Sequence, residues 1–174
     1  AHPWRKEILD AEKALKLEYK FKNKTELWKM TSLLRRFKNR AKKLIAARGA
    51  QAVKEKEQLI QRLQRLGLIQ ENAKLDSILS LQTKDVLERR LQSIVYRRGL
   101  ARSMKQARQF ITHYHIMVNG KKITSPSYIV AKADESTIQF AERSTLVNPE
   151  HPERAPVQRK VELKKEEAPV AVAQ

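Results

Sequence analysis

Between Glu88 and Asp134 this chain places no carboxylate, yet residues 89–108, RRLQSIVYRRGLARSMKQAR, carry seven Arg or Lys. That run limits the folds open to it. Without local acids, its cations must stand on a surface, face an anion, or borrow carboxylates from elsewhere. The interleaved apolar residues must then gather on an opposite side. Leu87, Leu91, Ile94 and Val95 do so at helical spacing, with Arg90 and Arg97 seven apart on the other side. Thr83 suits the cap of this helix, and Asp85 and Glu88 suit the positive end of its dipole. After Gly99, Ser103 and Gln106 have the spacing of a capping box that opens a second helix. Met104, Ala107, Ile111 and Tyr114 line its inner face, while Lys105 and Arg108 share the outer one.

The period then drops toward two in "HIMVNGKKI", a hairpin around Asn119–Gly120, and "SYIV" and "TIQF" supply two more short strands. Asn119 suits the positive φ of the turn and equally a base contact. Arg98, Arg102, Lys105 and Arg108 are expected to form one surface around the link between the two helices. The free N–H groups of the second helix also favour an anion there. Phosphate satisfies all of these features, without separating RNA from DNA.

Charge elsewhere agrees. The net of +18 is concentrated in residues 1–50 (+10) and 85–125 (+7), while residues 126–174 sum to −1. Such clustering attracts polyanions and exceeds what solubility needs. No apolar run approaches the roughly 18 residues of a membrane helix. Cys is absent, which excludes disulfides and thiolate zinc sites.

The N-terminal half is helical. Thr25 with Glu26 marks a helix start, and Leu27, Met30, Leu34, Phe37, Ala41 and Leu44 then recur at spacings of three and four. Lys29, Arg35, Arg36, Arg40, Lys42 and Lys43 lie off that stripe as an additional basic face. Residues 51–66 form another helix with Leu59, Leu63 and Leu66 inside. Pro3 is placed to open the first helix, and Gly49, Gly67 and Gly99 fall where helix C-terminal caps belong. From about residue 144, Pro-rich and low in apolar residues, the chain reads as an extended or disordered tail that the fold does not need.

The resulting class is α+β. A helical N-terminal region (1–84) precedes a small module of two helices on a short, mostly antiparallel sheet (85–143), then the tail (144–174).

Residues 87–130, LERRLQSIVYRRGLARSMKQARQFITHYHIMVNGKKITSPSYIV, resemble the RNA-binding module named after small-subunit ribosomal protein S-four. The shared pattern is a double-Arg helix, "GLA" with a small cap residue, "QAR", "H-I-x-V-N-G-K" and "PSY-x-V". Beyond it, "HPWRKEILD", "KNKTELWKM", "RLGLI" and "LDSILSL" resemble the archaeal and eukaryotic branch of that ribosomal family, so the similarity covers nearly all of residues 2–143. Members of this branch usually carry a basic segment ahead of "HPW", where this sequence starts; if one precedes Ala1, it holds further RNA contacts. "AKADES" replaces a common Gly-Asp turn before the last strand.

The resemblance implies a structural component of the cytoplasmic small ribosomal subunit. It would bind small-subunit ribosomal RNA early in assembly, contribute to translational accuracy and neighbour the proteins along the path by which mRNA enters. It assigns RNA contact to Arg89, Arg90, Arg98, Arg102, Lys105, Arg108 and Lys121, and the candidate surface takes in Arg97, His113, Asn119 and Lys122 as well. A ribosome-assembly factor built on the same module is the competing reading. Catalysis is rejected: His113, Tyr114 and His115 lack carboxylate or Cys partners, and no phosphate loop or nucleophile motif occurs. No metal, cofactor, membrane or small-molecule substrate is expected.

Overall fold

The computed structural model describes residues 5–70, 75–148 and 151–154. The proposed start at Pro3 and the tail from 155 onward lie outside them. Helix α1 spans Lys6–Glu18, α2 Lys24–Ala46, α3 Ala50–Arg65, α4 Leu75–Ser80, α5 Thr83–Glu88, α6 Leu91–Arg97 and α7 Met104–Thr112. Strands β1 (Ile116–Val118), β2 (Lys121–Lys122) and β3 (Gln139–Phe140) form an antiparallel sheet of order β2-β1-β3.

The apolar stripe of α2 is buried at all six positions anticipated from its spacing. Against it pack Leu59 and Leu63 of α3, Ile78 of α4, and Val86 and Leu87 of α5, forming one core. The helix begins at Lys24, just ahead of the expected Thr25, after an extended Asn23. Gly49 is not the C-terminal cap of α2. That helix ends at Ala46, and Gly49, at φ +116°, is the N-cap of α3, where the chain reverses between the two helices. Gly67 and Gly99 do follow their helices, at φ +68° and +74°.

The second core joins α6, α7 and the sheet through Leu91, Ile94, Val95, Phe110, Ile111, Ile116, Val118 and Phe140. Asn119 and Gly120 turn the β1–β2 hairpin at φ +50° and +72°, both in the left-handed region that a two-residue turn of this hand requires.

Five further expectations need correction. The helix foreseen from Thr83 to Arg97 is two helices. At Arg90 the backbone is extended and bridges Ile129, with Leu91 N–H donating to the Tyr128 carbonyl at 2.7 Å and Val130 N–H to that of Arg89 at 3.0 Å. The "SYIV" segment thus forms one bridge rather than a strand, and that bridge splits the helix. Gln82, not Thr83, caps α5, its N–H donating to Asp85 Oδ2 at 2.7 Å. Tyr114 does not face inward. Helix α7 stops at Thr112, and Tyr114 follows at φ +64°, 59% exposed; Phe110 fills the core instead, edge-on to Phe140.

The last correction concerns the tail. Leu146 is 2% exposed within the second core. Arg154 lies over the Phe140 ring at 5.0 Å and donates to the Leu146 and Val147 carbonyls. Residues 144–148 and 151–154 are therefore docked. Deleting the chain from Leu146 onward should cost about 2–5 kcal/mol, the loss expected for one buried Leu. A urea midpoint unchanged by the deletion would contradict this packing.

Candidate nucleic-acid interface

The α6–α7 link is built as the spacing suggested, with one shift. Ser103 Oγ accepts from Gln106 N–H at 3.2 Å, while Gln106 Oε1 accepts from the N–H of Arg102 rather than of Ser103. This fixes the start of α7, with Lys105 exposed and free of ion pairs among the described residues. Arg98 and Arg102 flank the link. Arg98 donates to the carbonyls of Glu135 and Ile138, and Arg102 to that of Pro152.

The acid-free run does borrow carboxylates, from two distant places. Glu26, in the first turn of α2, accepts from Arg90 Nη2 at 2.7 Å and from Arg108 Nη2 and Nη1 at 2.8 and 3.2 Å. Arg90 is 1% exposed, also donates to Ser127 Oγ, and lies 4.7 Å from the Phe21 ring centroid. Burial alone would raise the Glu26 carboxyl, but hydrogen bonds from Arg108 and Arg90 outweigh it and hold it below its ordinary range. Burial lowers the Arg90 guanidinium, opposed by Glu26.

Glu135 is the second acid, 2.8 Å from Arg89 and 3.0 Å from Arg97, which also reaches Glu88. Burial would raise it as well, and hydrogen bonds from Arg89 lead those that bring it below its ordinary range. Arg89 is packed so tightly that a Cβ added at Gly67 would lie 3.3 Å from its guanidinium carbon.

These pairings revise the outer surface. Arg90 is not opposite the apolar face but beneath it, because the break after α5 turns its side chain toward α2. Arg89 is buried too, and Arg108 is half-buried against Glu26. Arg108 therefore lies beside Lys105 with its guanidinium engaged by Glu26 rather than left open. Lys105, His113, Lys121 and Lys122 are exposed, and Arg97, Arg98 and Arg102 are exposed while engaged with protein partners. Asn119 serves the turn, and its Nδ2 donates to Asp134 Oδ1 at 2.6 Å. The "AKADES" turn is a 3-10 turn at Ala133–Glu135 that supplies Asp134 and Glu135.

On α2, Lys29, Arg35, Arg36, Arg40, Lys42 and Lys43 are all exposed. Among the described residues, Arg40 alone of these approaches a carboxylate, Glu55 at 3.8 Å. Sequence reasoning missed Glu26, since a Glu in a first turn already has a local explanation in the helix dipole.

Among the described residues no group of His, Asp or Glu could hold a metal ion, and no helix is long and apolar enough to cross a membrane.

Residues 89–136 match the S4 domain family. The match takes in both sides of the Glu135 cluster but only the arginine side of the Glu26 cluster. The small ribosomal subunit protein uS4 of Nanoarchaeum equitans is 49% identical over 170 residues, 97% of this chain and 94% of that protein. The chain belongs to the uS4 family. Its uS4 relative from Methanococcus aeolicus is 49% identical over 154 residues, covering 88% of this chain and 87% of the relative. That from Ignicoccus hospitalis is 48% identical over 143 residues, 82% and 86% of the two. The uS4 similarity thus extends through the helical half as well as the S4 domain.

Proposed function

We propose that this protein is a non-catalytic, structural component of the cytoplasmic small ribosomal subunit and binds small-subunit ribosomal RNA. The observation that carries this is the nearly end-to-end similarity to proteins named small ribosomal subunit protein uS4. The exposed cations support it physically. Lys105, Lys121, Lys122 and His113 lie on the S4 domain, with Arg97, Arg98 and Arg102 nearby, and a second exposed basic face runs along α2. The buried Arg89 and Arg90, with half-buried Arg108, shape that surface rather than lead in touching RNA.

Early binding during assembly, a contribution to decoding accuracy and neighbours along the path of incoming mRNA belong to the same reading. Nothing favours an assembly factor. A ribosomal component should stay stoichiometric with mature small subunits on sucrose gradients at moderate salt; loss to a pre-ribosomal fraction would favour the alternative.

Binding should also be steeply salt-dependent. Each phosphate neutralised adds roughly 0.7–0.9 to the slope of log K against log salt. Replacing Lys121 and Lys122 together by Ala should lower that slope by about 1.5, with melting unchanged, because both side chains are exposed. A titration with almost no salt dependence would defeat the electrostatic account.

A further inference from the structure

One groove on this surface joins the candidate positions Lys105 and Arg108 to residues of α1 and the α1–α2 loop that were not candidates. It runs between the C-terminal half of α1, the α1–α2 loop and the start of α7, and encloses about 630 Å³. Lys16, Lys20, Lys22 and Lys105 line it with no ion pair among the described residues, and no carboxylate lines it. Two other lining cations are already paired, Lys13 with Asp10 and Arg108 with Glu26. Leu17, 67% exposed, stands among these lysines, with the buried Phe21 below.

Lys20 adds a second, independent observation. It follows α1 at φ +49°, in the left-handed position where helices favour Gly, and Phe21 N–H closes the turn onto the Lys16 carbonyl at 3.2 Å. A lysine there costs stability relative to glycine. A lysine at this position is accounted for by an ammonium group with work that Gly could not do.

We propose that this groove receives an unpaired segment of ribosomal RNA. Phosphates lie on Lys16, Lys20, Lys22 and Lys105, and one unstacked base covers Leu17. The four free ammonium groups select a polyanion. The groove's volume accommodates a nucleotide, and the exposed Leu asks for an apolar face that a phosphate cannot supply. A duplex would present phosphates, sugars and 2′-hydroxyls to the rim but no open base face to cover Leu17. The inference rests on the ribosomal RNA reading above and adds where and in what form one part of that RNA binds.

The test measures binding of the full chain to a small-subunit ribosomal RNA transcript across a salt series. The triple variant Lys16→Gln, Lys20→Gly, Lys22→Gln should lose more than about tenfold in affinity and about 2 in salt slope. Leu17→Ala should lose about fivefold in affinity with the slope unchanged, because it removes apolar contact and no charge. Lys20→Gly alone should melt no lower than the parent while binding more weakly, which a purely structural role for Lys20 would not produce. If the triple variant binds normally while Lys121→Ala with Lys122→Ala binds weakly, the groove proposal is overturned and the RNA reading stands. If the triple variant loses slope but Leu17→Ala binds normally, a duplex backbone crosses the rim and the unpaired segment is ruled out. If neither the groove variants nor the Lys121 and Lys122 variant change binding, the transcript is held elsewhere, as on the basic face of α2, and the groove proposal is overturned; a parent chain without salt-dependent binding to the transcript would sink the RNA reading itself.

Discussion

Replacing Glu26 by Ala should destabilise this protein by about 3–5 kcal/mol, although Glu26 is one carboxylate on one helix. Its removal leaves Arg90, 1% exposed, as a buried cation whose only remaining polar side-chain partner among the described residues is Ser127. It also releases Arg108, which gives Glu26 two hydrogen bonds. Because Glu26 belongs to α2 and both arginines to the S4 domain, the substitution severs the ionic tie between the helical half and the domain. Glu55→Ala is the control. Its partner Arg40 is half exposed and 3.8 Å away, so the change should stay within about 0.5 kcal/mol.

The same cluster sets the acid limb of stability. Glu26 and Glu135 both titrate below the ordinary value of 4.5 in the folded state. A carboxyl with a lowered folded value stabilises fully above its unfolded value and loses that contribution as pH falls through the lower folded one. Stability should therefore hold down to about pH 4.5 and fall below it, and Glu26→Ala should flatten that fall. Urea midpoints between pH 7 and pH 3 for both proteins measure it. A parallel decline in parent and variant would remove Glu26 from the acid response.

What the sequence made legible follows from the range of the forces involved. The α2 stripe, the Ser103 cap and the Asn119–Gly120 turn are each specified by residues within a turn or two of each other, and periodicity or local chemistry found them. The break at Arg90 is imposed by Ile129, and the neutralisation of Arg90 and Arg108 by a Glu 64 and 82 residues away. No local pattern encodes such pairings. The absence of acids from 89–133 correctly marked that segment as basic, but it could not say which cations would turn inward to meet Glu26 and Glu135. Tyr114 and Phe110 illustrate the same limit. Both fit the inner face of a longer helix, and the left-handed residue that ends α7 decides between them. Leu146 was hidden because one apolar residue in a polar tail makes no period.

The two faces of α7 can be separated by experiment. Ile111 is fully buried in the second core, so Ile111→Ala should cost about 2–5 kcal/mol, according to how far the cavity collapses. Any loss of RNA binding by this variant should track its unfolded fraction and recover when the assay is cooled. Lys105 lies on the same helix but is exposed and free of ion pairs among the described residues. Lys105→Ala should leave melting unchanged, weaken RNA binding, and reduce the salt slope by about 0.7–0.9 for one lost phosphate contact. Arg108→Ala falls between them. Its guanidinium is part of the Glu26 cluster, so the substitution should lower stability and RNA affinity together, where the sequence alone placed it with Lys105. Thermal melts and salt-dependent binding isotherms for the three variants decide the arrangement. If Lys105→Ala melts as early as Ile111→Ala, or Arg108→Ala loses binding with no loss of stability, the assignment of the α7 faces is wrong.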